Sequence, residues 1–265
     1  MNTMQIKRQF AKIGVRSIVR LDESRFARTG VAIDVGRDGE GEFFDIAFGQ
    51  GSRPEVSVVD AQPRLRHLLL MSREADGKHK FLCGHDERHW FVAAVPERAS
   101  VSNVKTAFEA LRPRAATNRL LRRKVKRKDR NRRRNEAFLR QGEWFFIPAG
   151  EQQFPELLIL RNEPLRRGSG KPHICEELVR TGGEMVYVSP QHPNGISPQR
   201  YRKIMSGNSK LRHLPWMVQR RNPGVFVRGK VRHADHKTIV LDGWHQVLMN
   251  TETESQAMRH VAFID

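Results

Sequence analysis

The sequence predicts an α+β protein with two mostly β lobes and short helices, joined by a long Arg/Lys-rich helix or arm. The first reason is size, because 265 residues with 38% hydrophobic content are enough for one large or two small cores. The second is composition: residues 112–134 hold thirteen basic residues and one acid, Asp129, and so carry +12 of the chain's net charge of +19. The third is that apolar runs elsewhere are short and lie between Gly-rich turns, which is typical of strands.

Residues 1–111 are predicted to form the first lobe, which is mostly β. The strands are predicted at 42–48, 56–59, 67–71, 80–83 and 89–95. The last two strands form a hairpin whose tip, residues 84–88, is polar and charged. A helix is expected to begin at Ser100 or Ser102 and to end before Pro113, since the residue before a proline disfavours helical backbone.

Residues 112–142 are predicted to form the element that joins the lobes. The run 118–141 contains no Pro or Gly and is rich in Arg and Lys, and Gly142 follows where a C-terminal cap is expected. A helix over these 24 residues would be roughly 36 Å long. Its seven like-charge pairs at i, i+4 spacing would cost roughly 1.4–3.5 kcal/mol, so an anionic partner is expected to stabilise it.

Residues 143–265 are predicted to form the second lobe, in which strands and short helices alternate. The strands are predicted at 143–148, 157–160, 184–188, 225–232, 238–241 and 244–249. Residues 172–180 are predicted as a short helix closed by a Gly pair, and Ser197 followed by proline predicts the start of another. The strands at 225–232 and 238–241 form a second hairpin, whose tip carries His233 and His236.

The excess of positive charge predicts a polyanionic partner, since self-repulsion of this size adds nothing to fold stability. Guanidinium groups bind phosphates and stack on bases, so the basic segment is predicted to bind nucleic acid. RNA is favoured over DNA, because an Arg-rich helix without a helix-turn-helix signature resembles segments that order on structured RNA. The predicted contacts are Arg119, Arg122, Arg123, Lys124, Lys126, Arg127, Lys128, Arg130, Arg132, Arg133 and Arg134, with Trp144 as a candidate stacking platform.

A metal site is a second interpretation, built on cysteines and histidines. Cys83, His85 and His89 lie together in sequence, and Cys175 follows His173 after one residue. These residues offer five ligands of the types that zinc prefers, of which four would suffice, and Cys83, His85, His89 and Cys175 are the predicted set. The spacing is irregular for zinc, and residues at i, i+2 diverge if 172–180 is helical. The simpler interpretation is that both cysteines are buried core residues and the histidines belong to a polar hairpin tip.

The two hairpin tips also suggest a catalytic hypothesis. His85, Asp86 and His89 on the first tip, with His233 and His236 on the second, would supply acid and base groups to a nuclease using Mg²⁺ held by carboxylates. Eleven histidines make chance clusters common, and hairpin tips are ordinarily polar. The chain lacks P-loop, dinucleotide-binding, serine-hydrolase and zincin motifs, which disfavours those enzyme classes.

Two cysteines far apart in sequence suit a reducing compartment, and neither a signal-peptide pattern nor a run of roughly 18 apolar residues occurs. We therefore expect a cytoplasmic protein with no membrane partner. The function predicted is nucleic-acid binding through the phosphate backbone, with no cofactor and no catalysis. Two alternatives stay open: a metal-dependent nuclease with Zn or Mg, and a structural subunit of a larger ribonucleoprotein assembly.

Overall fold

The computed structural model describes residues 3–22, 30–49, 55–75, 77–97, 100–168, 170–207 and 209–261. Within these ranges the protein is mostly β, with four sheets and with no helix longer than ten residues. The predicted α+β architecture, with two lobes joined by a long basic helix or arm, is therefore wrong. No helix in this part of the chain is long and apolar enough to cross a lipid bilayer.

The N-terminal part of the fold consists of one helix and two sheets. Its elements are α1 (Thr3–Lys12), β1 (Arg16–Asp22), β2 (Val31–Asp38), β3 (Gly41–Gly49), β4 (Glu55–Gln62), β5 (His67–Glu74), β6 (Gly77–Asp86) and β7 (His89–Val95). The first sheet has the order β1-β3-β2 with β1 parallel to β3, and the second is the antiparallel sheet β4-β5-β6-β7. The strands predicted for this region and the hairpin with the polar tip are confirmed.

Strand β5 contributes to two separate cores because successive side chains of a strand point to opposite faces. Leu68 and Leu70 are fully buried in the core that α1 and the first sheet form around Phe44. Leu69 is buried on the other face, in a cluster with residues of α2 (Val104–Ala110). The predicted helix is thus confirmed, although Asn103 rather than a serine caps it through a hydrogen bond from Thr106 N at 2.9 Å.

The first residue of β5, His67, is expected to make the fold sensitive to acid. Burial lowers its pKa to about 4, and the nearby charges of Arg140 and Asp86 act in opposite directions. The unfolded chain therefore takes up this proton more readily, and the free energy of unfolding falls by about 3 kcal/mol as the pH drops from about 6.5 to 4. Urea unfolding at pH 7.5 and pH 4.5 measures the free energy of unfolding, and its difference between the two pH values should be smaller for His67→Gln than for the unmodified protein. An equal pH dependence in both proteins would contradict this assignment.

The basic segment folds back on itself instead of forming one helix over 118–141. The helix α3 (Arg114–Arg122) ends after nine residues, and Lys124 follows in a left-handed backbone conformation with φ +52°. The cause is an apolar residue among the charges: Val125 is buried in one cluster with Leu120 of α3. In a continuous helix these two side chains would lie about 140° apart around the axis and would not face the same core.

The remainder of the chain adds two further sheets. Its elements are β8 (Leu139–Gln141), β9 (Trp144–Pro148), β10 (Leu160–Leu165), β11 (His173–Thr181), β12 (Glu184–Ser189), β13 (His192–Ile196), α4 (Pro198–Gly207), α5 (Ser209–Arg212), β14 (Met217–Arg221), β15 (Gly224–Arg232) and β16 (Ile239–Met249). Six strands form an antiparallel sheet in the order β10-β11-β15-β16-β9-β8, and β13-β12-β14 form a small sheet beside α4. The second predicted hairpin is confirmed as β15 and β16, and the helix predicted after Ser197 is α4. Gly142 is not a helix cap but lies in the turn between β8 and β9, with φ +54°.

The short helix predicted at 172–180 is wrong, because these residues form β11 inside the six-stranded sheet. A register shift between Cys175 and Glu177 marks a bulge in the pairing with β15. As a result the buried positions do not recur at every second residue: Leu178 and Val179 are both buried. A strand interrupted in this way loses the alternation by which strands are recognised in a sequence.

The two halves of the chain pack against each other rather than lying at the ends of an arm. Ala257 and Val261 near the C-terminal end are buried in the core of the N-terminal sheets, and Val261 forms a bridge with Ile33. The hydroxyl of Ser255 donates to the carbonyl of Val95 at 3.1 Å. The last described stretch of the chain therefore joins the N-terminal sheets.

Candidate functional site

The two histidine-bearing hairpin tips, far apart in sequence, meet in space. The backbone N–H of Lys237 donates to Glu87 Oε2 at 3.0 Å, and Nδ1 of His236 lies 3.2 Å from the same oxygen. His89 Nε2 lies 3.7 Å from Asp235 Oδ1. The tip of β6 and β7 is therefore in direct contact with the tip of β15 and β16.

A cavity of about 590 Å³ lies beside this contact, and four of the five candidate catalytic residues line it. Asp86 and His89 reach it from the first tip, and His233 and His236 reach it from the second. His85 is not among its lining residues. Its ring packs edge-on against Trp90 at 5.0 Å between centroids, as expected for a side chain on the opposite face of β6 from Asp86.

The carboxylates at the junction are neutralised by neighbouring cations. Asp86 forms an ion pair with Arg133 and lies 3.7 Å from Arg140 Nη2, and Glu87 Oε1 lies 3.1 Å from Arg133 Nη1. Asp235 Oδ2 accepts from Lys171 Nζ at 2.8 Å. Carboxylates engaged in this way are poorly suited to hold Mg²⁺ in the manner that the nuclease hypothesis requires.

Three histidines form a compact cluster at one side of the cavity. His173 begins β11 and His233 follows β15, and these strands pair so that Ile174 lies opposite Arg232. The rings of His173 and His233 stack with centroids 4.3 Å apart, and the ring of His236 is 4.6 Å from that of His233. One ring nitrogen from each lies within 4.8 Å of the other two, and among the described residues this is the one group of three or more His, Cys, Asp or Glu side chains so close together.

Burial favours the neutral forms of His173 and His233 in this cluster. It lowers the pKa of His173 to about 3, and the neighbouring His233 and His236 lower it further. Burial also lowers the pKa of His233, with a smaller contribution from His236. These two residues therefore present neutral imidazoles, the form in which histidine binds metals.

The structure does not gather Cys83, His85, His89 and Cys175, the four candidate metal ligands from the sequence. Cys83 is fully buried in the core of the N-terminal sheets, whereas Cys175 is fully buried in the core of the six-stranded sheet. Burial raises the pKa of both thiols, that of Cys175 to about 12. Both cysteines are thus protonated core residues in separate parts of the fold.

The basic loop, which we define as residues 122–134, presents most of its cations to solvent. The exposed members are Arg122, Arg123, Lys124, Lys126, Arg127, Lys128, Arg132 and Arg134. Within the described part of the chain only Arg132 of these eight forms an ion pair, with Asp129 at 3.0 Å. The loop therefore carries a dense set of unpaired positive charges.

Four other predicted contacts have roles within the fold. Arg119 Nη1 donates to the carbonyl of Pro148 at 2.8 Å, and Arg130 Nε donates to that of Val125 at 3.0 Å. Arg133 pairs with the acids of the first hairpin tip, and Trp144 is buried in the core of the six-stranded sheet. Trp144 therefore offers no exposed ring for base stacking.

Several residues at the junction have no counterpart in the sequence-based predictions. Glu42 of β3 lies 2.6 Å from Nδ1 of His89, and Lys171 and Arg140 hold the two aspartates of the hairpin tips. These residues come from strands and loops distant in sequence, so no local pattern links them. Comparisons with known protein families, with curated proteins and with solved structures give no match to this chain.

Proposed function

We propose that the protein binds nucleic acid, RNA in preference to DNA, through the phosphate backbone and by means of the basic loop. The observation that carries this proposal is the set of seven exposed cations that no described carboxylate neutralises. Cations without internal partners gain most from phosphates, because binding releases counterions condensed on the nucleic acid. Such contacts depend little on base sequence.

The loop supports the proposal because its backbone is anchored. Val125 and Phe138 are buried on β9, and Asn135 Oδ1 accepts from Ala137 N at 2.9 Å. The cations between these anchors are therefore displayed from a folded platform, which reduces the ordering cost of binding. Most of these cations lie on turns and not on a long helix of the kind that enters the major groove of DNA. This arrangement favours the recognition of irregular RNA.

Binding is expected to fall steeply with salt. If about six to ten phosphates are contacted, the affinity should drop by roughly 10³–10⁵ between 50 and 200 mM salt. Fluorescence anisotropy with a structured RNA, a single-stranded RNA and a DNA duplex of equal length would measure this and would rank the three ligands. Binding that is independent of salt would contradict the proposal, and tighter binding to the duplex would contradict the preference for RNA.

The contact between the two hairpin tips favours a metal-dependent nuclease as a second candidate function. Asp86, His89, His233 and His236 line one cavity, and His89 lies between the carboxylates of Glu42 and Asp235. A histidine held between carboxylates is a candidate general base. The anisotropy samples, incubated with Zn²⁺, Mn²⁺ or Mg²⁺ and with a chelator, would show cleavage if the enzyme hypothesis holds. If the protein binds the nucleic acid without cleaving it, the result supports a binding protein, which includes a structural subunit of a ribonucleoprotein assembly.

A further inference from the structure

We propose that His173, His233 and His236 bind one divalent transition-metal ion of the zinc class, with a further coordination position open toward the cavity. This site is independent of the basic loop and of the proposed nucleic-acid binding. The three residues come from the start of β11 and from the tip of β15 and β16, and all three line the cavity.

The geometry of the cluster is close to that of a three-histidine site. Tetrahedral zinc with Zn–N bonds of about 2.0–2.1 Å places its nitrogen ligands roughly 3.3–3.4 Å from one another. The three ring nitrogens of the cluster already lie within 4.8 Å of one another. Closure by at most about 1.5 Å, with rotation of the stacked rings so that their nitrogens converge, would complete the ligand set. Two of the three ligands, His233 and His236, lie outside regular secondary structure.

The buried ring nitrogen of His173 supplies an independent indication of a ligand. His173 is 3% exposed, and its Nε2 atom is buried without a hydrogen-bond partner among the described residues. Buried polar atoms are almost always paired, and beside two further histidine rings a bound ion would supply the partner that this nitrogen lacks. An imidazole nitrogen in this position can coordinate a cation.

The surroundings of the other two histidines orient them for coordination. His236 Nδ1 lies 3.2 Å from Glu87 Oε2, which leaves Nε2 for the metal in the carboxylate–histidine–metal arrangement of many zinc sites. His233 Nε2 lies 3.2 Å from the carbonyl of Lys171, and its Nδ1 accepts from Asp235 N at 3.1 Å. Coordination by His233 would therefore replace one of these two backbone contacts and keep the other.

The ligand chemistry selects the class of metal. Three imidazole nitrogens suit zinc, cobalt, nickel and copper, whereas magnesium and calcium require oxygen ligands. The carboxylate of Asp235, which lies on the same hairpin tip, is engaged by Lys171 at 2.8 Å. A set of three histidines with an open position is also the composition of catalytic rather than structural zinc sites.

The test uses the full chain produced without a polyhistidine tag. Elemental analysis of the purified protein, and titration of chelator-treated protein with Zn²⁺ or Co²⁺ alone, are expected to give about one equivalent per chain. Bound Co²⁺ should show the visible absorption of a tetrahedral nitrogen site. Zinc at about one hundred times its dissociation constant should raise the Tm by about 5–10 °C.

Three variants decide the assignment. His173→Gln and His236→Gln are expected to retain less than about a tenth of the metal, and Glu87→Gln to weaken binding by about 10–100-fold. His213→Gln, which removes an exposed histidine of the α5 region, is the matched control and should bind metal as the unmodified protein does. If His173→Gln fails to fold, His236→Gln decides the result. Full metal retention in His236→Gln, or no metal binding by the unmodified protein, would overturn the proposal.

Discussion

Replacing five exposed cations of the basic loop with glutamine is expected to lower the affinity for RNA by about 3 × 10³- to 3 × 10⁴-fold in 0.1 M salt. The substituted residues are Arg122, Arg123, Lys126, Arg127 and Lys128, all of which are exposed. Each phosphate contact contributes about 0.7–0.9 to the slope of log K against log salt concentration. One such contact therefore increases the affinity roughly five- to eightfold when the salt concentration is lowered from 1 M to 0.1 M. Glutamine keeps the helix propensity of α3 while it removes the charge. Anisotropy titrations at several salt concentrations should show the slope reduced by about 3.5–4.5.

A control variant separates the effect of the loop from that of total charge. Five exposed cations of the N-terminal part are changed to glutamine, so that the net charge falls by the same amount: Lys7, Arg8, Lys12, Arg64 and Lys78. Charges remote from the bound strand are screened within roughly 10 Å at 0.1 M salt, so the affinity should change by less than about tenfold. Equal losses in the two variants would show that the protein attracts RNA by net charge alone, and unchanged binding by the loop variant would place the site elsewhere.

The features that could be predicted from the sequence are local ones. The two hairpins were predictable because short apolar runs flank polar tips, and both the alternation and the turn lie within about twenty residues. The density of charge in the basic loop was also visible directly in composition. The helix predicted over 118–141 failed because the fold of that segment depends on Val125, a single apolar residue among cations, and on Phe138 near the end of the segment. Their importance follows from β9, onto which they pack, and not from any period within the segment.

The metal cluster and the contact between the tips depend on pairings of distant strands. His236 and Glu87 are 149 residues apart, and nothing in either local sequence indicates that they meet. The sequence shows His173 two residues before Cys175, but the wrong prediction of a helix over 172–180 gives no indication that His173 lies beside His233. In β11 the same residue starts a strand that lies next to β15, and this pairing brings it to His233.

The ion pairs between the first hairpin tip and the basic segment are expected to stabilise the fold. Asp86→Asn is expected to lower the free energy of unfolding by about 3 kcal/mol, because it leaves the guanidinium of Arg140 enclosed without a full counter-charge. Asp86 is 8% exposed, and the Arg140 side chain is 16% exposed and lies over the ring of Phe108 at 5.6 Å. Burial is the main cause that lowers the pKa of Arg140, while Asp86 raises it. Urea unfolding of the variant should show a lower midpoint with an unchanged m value.

Two further proteins show whether the unpaired buried charge is the cause. The double variant Asp86→Asn/Arg140→Met removes the unpaired charge of Arg140. In this variant Arg133 keeps Glu87, at 3.1 Å, as its partner. Replacing a buried ion pair with an apolar side chain is often nearly neutral, so the double variant should be destabilised by no more than roughly 1 kcal/mol. Glu184→Gln breaks the exposed pair with Arg221 at 2.7 Å and should cost less than about 1 kcal/mol. A double variant that is less stable than Asp86→Asn would contradict this explanation. It would show that hydrogen bonds and packing of Arg140, and not only its charge balance with Asp86, stabilise the contact between the basic loop and the hairpin tip.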